Sequence, residues 1–563
     1  MNSSILIIGS AVLFVVAYHT YGKFIARKIF KINPEAICPS SSLRDDIDYV
    51  PTRKSILFGH HFTSIAGTGP IVGPAVAIIW GWVPAVIWIL LGSIFMGAVH
   101  DFGALIVSLR NQGRSIGDLS ANVVNNRVRI LFLLIIFFLL WIFVAILGVI
   151  IGLVFDLYPQ SVIPVFIEIP VALWLGYMIY KKGAPHLPLS IIAVIILYIA
   201  VAIGAYYPLN INPLASFFGL SPVALWVIIL LIYSYIASTL PVQVLLQPRD
   251  YINSHQLFIA LGLLSLGVMF SHPDFVAPGI DLTPKGAPPL FPMLFVFIAC
   301  GAISGFHALV SSGTSSKQCD AETSSLSIGY GGMLLEGILA IFVLIACGAG
   351  ISLGFTDGGE TYTGISAFNH HYGSWIGGTG LGNRLSAFIV GSANMLQTIG
   401  IPAKVSLTIM GVFIVSFAAT SLDTSTRLQR YIVGELFTAV KVPFLARKHP
   451  ATIIAVVTAL ILAFYNGSGT GALILFPLFG ATNQLLAGLS LLVITIYLAR
   501  RKTPLRYTMI PMIFMILMTG WAMIINLADY FSTANWLLFS ICFMTVLLEI
   551  WMIIESVAVL KKI

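Results

Sequence analysis

Long uninterrupted apolar stretches dominate the chain. They recur from end to end at lengths of roughly 17–28 residues, and a helix needs about 20 residues to cross the hydrocarbon of a bilayer. The pattern predicts spans near 4–22, 57–80, 82–109, 128–155, 161–180, 187–206, 222–240, 255–271, 291–311, 326–354, 403–421, 450–466, 472–499, 507–527 and 533–558. A β-barrel is excluded, because its strands alternate apolar and polar residues over about ten positions and these runs do not. The expected class is an all-α polytopic membrane protein with about 15 transmembrane helices.

Composition agrees. Of 563 residues, 58% are apolar and 9% charged, against about a quarter charged in soluble proteins. So few charges cannot coat a soluble body, which rules out a soluble enzyme, a disordered chain and a fibrous one. The first run, 4–21, lacks a basic leader and a small-residue cleavage site, and reads as a retained helix. The five cysteines form no CxxC, so neither a metal site nor a disulfide framework is expected. No P-loop or HExxH pattern occurs, so no enzyme, no catalytic residue and no cofactor is expected.

The net charge of +8 has a simple cause. Lys and Arg concentrate in one alternate set of loops: Lys23 to Lys28, Arg53, Lys54, Arg110 to Arg129, Lys181, Lys182, Arg249, Lys317, Arg427, Arg430, Arg447, Lys448, Arg500 to Arg506, Lys561 and Lys562. The other set holds chiefly Lys285 and Arg384. Positive loops stay in the cytoplasm, which places the N-terminus outside, the C-terminus inside, and requires an odd number of spans. A short segment, 384–399, is too short to span and is expected as an interfacial or re-entrant helix on the outer face.

One span is unlike the rest. Segment 57–80 reads LFGHHFTSIAGTGPIVGPAVAIIW, with Gly67, Thr68, Gly69 and Pro70 at its middle. Glycine weakens a helix, and proline removes a hydrogen bond and clashes with the preceding turn. Backbone unwound at membrane depth is tolerable only around a polar cavity, which is how broken-helix transporters build a binding site. A second break is expected in 222–245, at Ser238, Thr239 and Pro241. That span is the sixth counted from 57–80 and runs the opposite way. The pair implies a five-plus-five inverted repeat: residues 1–54 form a peripheral helix and cytoplasmic loop, 55–210 and 211–430 are the two units, and 431–563 are four added helices. The expected substrate-binding residues are Thr63, Gly67, Thr68, Gly69, Pro70, Ser238, Thr239 and Pro241.

Ionisable groups inside apolar runs are costly and therefore informative. They include His60, His61, His100, Asp101, Glu168, His307 and Glu336. Ser304, His307 and Ser311 share one helix face. Histidine suits a coupling proton, whereas hydroxyls and free carbonyls suit Na⁺. The expected ion-coupling set is His60, His61, Ala66, Asp101, Ser304, His307, Ser311 and Ser312, with the ion either H⁺ or Na⁺. Arg53 and Asp423 are expected to form a cytoplasmic gate. Asn483 and Gln484 read as interhelical glue.

Several motifs resemble the carbon starvation protein A family: PTRKSILFGHHFTSIAGTGPIVGP (51–74), GAVHDF (97–102), QPRDYI (247–252), SGFHALVSSGTSSK (304–317), TSLDTSTR (420–427) and LFPLFGATNQLLAG (475–488). The resemblance spans nearly the whole chain. It implies a multi-pass inner-membrane transporter of bacteria or archaea, importing peptides or pyruvate in starvation. It also implies kinship with the amino acid–polyamine–organocation transporters and their LeuT-type core. The expected function is an ion-coupled symporter taking up a small carboxylate-bearing nutrient by alternating access; the alternative is a nutrient sensor or channel-like facilitator without ion coupling. The expected partners are the small-molecule substrate and the lipid bilayer, with no nucleic acid.

Overall fold

A computed structural model of the chain describes residues 2–375 and 380–561. The apolar runs become helices: α1 Ser3–Ile29, α2 Lys54–Ile65, α3 Gly69–Trp80, α4 Trp82–Leu109, α5 Asn126–Leu157, α6 Pro159–Lys181, α7 His186–Tyr206, α8 Pro222–Thr239 and α9 Leu246–Ser271. Next come α10 Leu290–Phe297 and α11, which starts at Gly305–Val310 and continues without a gap through Gln318. Then follow α12 Glu322–Leu353, α13 Leu381–Thr398, α14 Ala403–Ala439, α15 Lys448–Ala463, α16 Gly471–Arg500, α17 Arg506–Ser532 and α18 Trp536–Val559. A small antiparallel hairpin, β1 Phe355–Asp357 and β2 Glu360–Tyr362, precedes α13.

Among the described residues, 12 helices are long and apolar enough to cross a membrane, or 13 with the bent pair α2–α3 as one span. The other two expected spans are the short α15 and the interrupted α10–α11. Lipid-facing surfaces are legible as stripes. Ile191, Ile195, Ile199 and Ile203 recur every four residues on α7 and are all exposed, as are Ile510, Ile513, Leu517 and Ile524 on α17. Such continuous apolar surface is stable against hydrocarbon and not against water. The chain is a multi-pass membrane protein.

Two interrupted helices cross at the centre. The bend between α2 and α3 is 40°. The second interruption separates α10 from α11 by unwound residues 298–304. The two run antiparallel: His61 meets Ser315, Gly69 abuts Cys300, and Gly73 abuts Phe297. The freed carbonyls of the second break are answered by α4, with Trp88 Nε1 donating to Ile298 O at 3.0 Å and Ser93 Oγ to Gly301 O at 3.0 Å. This is the accounting that unwound backbone inside a membrane requires.

Three expectations change. Pro222–Thr239 is one continuous helix, so Ser238, Thr239 and Pro241 mark its end and not a break. Ser238 and Thr239 spend their hydroxyls on Tyr235 O and Ile236 O of the same helix. The partner of the first broken helix is instead 290–318. Its glycines, Gly301 and Gly305, were the available signal. Second, the four helices of 431–563 do not form an appendage: α16 is almost wholly buried and packs on α11, α4 and α5, while α17 and α18 are peripheral. Third, α13 is packed inside protein, with Leu385, Phe388, Ile389 and Leu396 fully buried against α9, α12 and α14, which removes the interfacial alternative for 384–399 and not the re-entrant one.

Candidate functional site

The first break follows from its sequence. α2 ends where Ala66 N donates to Phe62 O at 2.8 Å, and α3 begins where Thr68 O accepts from Val72 N at 2.8 Å and Ile71 N at 3.2 Å. Pro70 has no N–H to offer. Among the described residues, the amides of Gly67, Thr68 and Gly69 donate to no backbone carbonyl. They sit at the N-terminal end of α3, where the helix dipole adds a partial positive charge. A carboxylate fits there.

Both breaks face one small cavity of about 30 Å³. Thr68, Gly69, Phe143, Ile146, Cys300 and Phe479 line it. A wider cavity lies beyond it, bounded by Pro289, Met293, Trp375 and Tyr530. Phe297 and Phe476 belong to both walls, with ring centroids 6.5 Å apart, and so stand between the two spaces. Among the described residues, no acidic side chain lines the inner cavity.

Around this centre lie buried polar pairs. His60 Nδ1 makes a very short contact with Asp250 Oδ2 on α9, and both residues are fully enclosed. Gln318 Nε2 approaches His60 Nε2 at 3.3 Å, while Asp250 Oδ1 has no partner. Arg249, also buried, donates from Nε to Glu168 Oε1 at 2.7 Å and from Nη1 to Tyr233 OH at 2.7 Å. Its Nη1 also pairs with Asp423, which accepts from Tyr233 at 2.8 Å. His61 Nδ1 meets Ser315 Oγ at 2.8 Å. His307 Nδ1 lies 3.0 Å from Asp101 Oδ2.

The remaining expected site residues divide. Thr68 and Gly69 line the cavity. Gly67 packs on Ser421. Pro70 is buried without a donor, and Thr63 spends its hydroxyl on Gly59 O. Ala66 closes α2, and the hydroxyls that reach this break are Ser421 and Thr424 on α14, not Ser311 or Ser312. Ser312 Oγ instead accepts from Ile116 N at 2.9 Å. Ser304 binds Asn483, whose Oδ1 also accepts from Phe306 N at 2.9 Å and so caps α11. Asn483 is thus part of the second break. Arg53 and Asp423 do not meet: Arg53 is exposed beside His186 at 3.2 Å, and Asp423 is buried with Arg249.

A latch does exist at the Lys/Arg-rich end, built from other residues. Asp48 accepts from Tyr431 OH at 2.5 Å and pairs with Arg427 at 3.3 Å. Lys317, at the end of α11, lies 4.2 Å over the Tyr431 ring. Arg427 also donates to Leu240 O at 2.5 Å, capping α8. Burial alone would raise the Asp48 carboxyl, but Arg427, Lys317, Tyr431 and Arg430 outweigh it and hold it below the usual carboxylate range. A lowered value means that the latch is intact above the ordinary carboxylate pKa of about 3.9 and is lost only as pH falls through the lowered one. Hydrogen-exchange protection of residues 45–52, corrected for intrinsic rates, is therefore expected to be flat from pH 8 to 5. Asp48→Asn should cut that protection by about tenfold, the scale of a charge-assisted hydrogen bond.

These features define a class, that of membrane proteins built around two interrupted helices. Comparison with known proteins narrows it. The chain belongs to the family described as carbon starvation protein CstA, whose model matches residues 2–355 and 374–522. It is a family of transporters, and the chain is not an enzyme. The chain is 32% identical over 570 residues to the Campylobacter jejuni protein named peptide transporter CstA, covering 93% of this chain and 80% of that one. It is 30% identical over 603 residues to the Escherichia coli pyruvate/proton symporter BtsT, covering 94% and 82%. Among solved structures, a mutant of the Eremococcus coleocola manganese transporter is similar over 92% of this chain and 99% of its own, at 13% identity and a TM-score of 0.45.

Proposed function

We propose that this chain is a proton-coupled symporter of the cell membrane, N-terminus outside and C-terminus cytoplasmic, importing a small monocarboxylate of pyruvate's size by alternating access. The observation that carries the reading is the antiparallel pair of interrupted helices enclosing one cavity, with three unclaimed amides at the start of α3. The substrate carboxylate binds those amides, and the apolar walls Phe143, Ile146 and Phe479 take the rest of the molecule. A peptide's ammonium group needs an acidic or carbonyl partner, and the inner cavity has no acid, which favours pyruvate over peptides. The relative named a pyruvate/proton symporter supports the same choice.

The repeat units fall at 54–271 and 290–500, with the hairpin α6–α7 inserted in the first. Packing supports the division. α2 lies along α9 as α11 lies along α16, α5 pairs with α8 as α14 pairs with α15, and the two pairs face each other. The wider cavity then opens outward, Phe297 and Phe476 form the outer gate, and the Asp48–Arg427 latch closes the cytoplasmic side.

The coupling proton goes to the His60–Asp250 pair. An ionised carboxylate with one oxygen unpartnered inside protein is costly, and protonation relieves the cost. The pair also joins the broken helix α2 to α9, so its protonation state bears on whether they separate. In proteoliposomes, an inward gradient of one pH unit is expected to drive about tenfold accumulation of labelled pyruvate, one unit being about 1.4 kcal/mol. Asp250→Asn should abolish that accumulation while keeping pyruvate–pyruvate exchange. Replacing Na⁺ by choline should change nothing. Gradient-driven accumulation that survives in Asp250→Asn would overturn the assignment.

A further inference from the structure

Side chains unused by this mechanism converge at the second break. Cys300 in the unwound segment, His307 on α11 and Glu336 on α12 each present one ligand atom, and the three atoms lie within 4.8 Å of one another. All three residues are buried. Behind them, His307 Nδ1 lies 3.0 Å from Asp101 Oδ2, and Asp101 Oδ1 lies 2.8 Å from His100 Nδ1. With Asp101 accepting the Nδ1 proton, His307 presents a bare lone pair at Nε2. That atom faces Glu336 Oε2 at 3.4 Å. Among the described residues, neither Nε2 nor either oxygen of Glu336 has a hydrogen-bond partner.

Opposed lone pairs sealed inside protein are not left unanswered, so a positive charge belongs between them. A proton answers the histidine and the carboxylate and leaves Cys300 a thiol, donating to Ser304 Oγ at 3.4 Å. A metal ion answers all three. Thiolate, imidazole and carboxylate together suit a borderline-soft divalent cation, and a carboxylate behind the histidine is the usual support of such a ligand. We propose that Cys300, His307 and Glu336 bind a divalent transition cation of the Zn²⁺ class, with Asp101 as the positioning residue for His307. Binding releases the Cys300 thiol proton as the sulfur takes up the metal. Three protein ligands leave a fourth position open, and Cys300 also lines the cavity between the breaks. A bound ion ties residues 298–304 to α12 and so restrains the second broken helix. The ligands come from segments far apart in the chain, which is why no CxxC-type spacing announces them.

The test uses the full-length purified protein, stripped with a chelator and titrated with Co²⁺ alone. Wild type is expected to bind one Co²⁺ with a sulfur-to-cobalt charge-transfer band that Zn²⁺ abolishes. Cys300→Ser should lose the band, and Cys347→Ser, a buried thiol elsewhere on α12, should keep it. Asp101→Asn should keep the band at saturation but weaken Co²⁺ binding by about 10–100-fold. Zn²⁺ should slow pyruvate exchange in wild type and leave Cys300→Ser untouched. Absence of the band in wild type, or its survival in Cys300→Ser, overturns the site whatever the stability of the variants. Equal inhibition of both proteins by Zn²⁺ overturns the restraint.

Discussion

Arg249→Met is expected to be the most destabilising single substitution in the interior. Arg249 is 1% exposed and is the cation between Glu168 on α6 and Asp423 on α14, with Tyr233 on α8 completing the set. Removing it strands two carboxylates in a water-free environment, a change that costs about 3–5 kcal/mol in buried pairs. The loss should appear as a lowered midpoint for retention of the monodisperse peak on heating, read by size exclusion. The triple variant Glu168→Gln, Arg249→Met, Asp423→Asn removes every charge of the network. It should recover most of the loss, because uncompensated charge and not lost attraction is the larger part of the penalty. If Arg249→Met melts with wild type, the network is not holding α6, α9 and α14 together. If the triple variant is as unstable as the single one, hydrogen-bond geometry and not charge is what matters there.

Gly73→Ala is expected to weaken substrate binding strongly by adding a single methyl group. A methyl group at Gly73 would lie 2.5 Å from Phe297 O and 3.3 Å from Ile298 Cα. Both obstacles are backbone, so the broken helices themselves have to part. Overpacking of this kind costs about 1–3 kcal/mol. Taken from substrate binding, that is about 5–150-fold in affinity. Gly262→Ala on α9 is the control, because a methyl there meets nothing within 4 Å. It should leave uptake unchanged. Equal uptake by Gly73→Ala and Gly262→Ala would show that the close approach of the two breaks is not needed for transport.

Much of the membrane architecture is readable one segment at a time. Whether a run spans depends on its own length and polarity, so the apolar stretches map closely onto the helices. The first break is equally local: Gly67, Gly69 and Pro70 disrupt a helix wherever they stand together. The second break was harder to read. Its segment, ACGAISGF, carries two glycines but no interior proline, while Pro241 drew attention to the end of α8. A proline past a helix end and a proline within a span look alike until the helix bounds are known.

The charges divide in the same way. As a set, Lys and Arg obey a topology rule that needs only loop order. Individually, Arg249, Arg427 and Lys317 are not merely loop charges; each is held by partners from other helices. Glu336 stands out in the sequence as an ionisable group in an apolar run, but Asp250 does so only once His60 is seen beside it.

What this sequence determines by itself is the material of the fold: long apolar helices, one interruption, and a short stock of ionisable groups set inside them. These follow from transfer and propensity terms that each residue contributes with its near neighbours. The tertiary structure alone decides which interruption faces the first, which carboxylate each buried cation answers, and which nitrogen, oxygen and sulfur atoms meet. Those choices depend on groups as much as 383 residues apart, such as Asp48 and Tyr431. Inside a low-dielectric bundle, a polar atom's energy is set by the partner that reaches it, not by its own place in the chain.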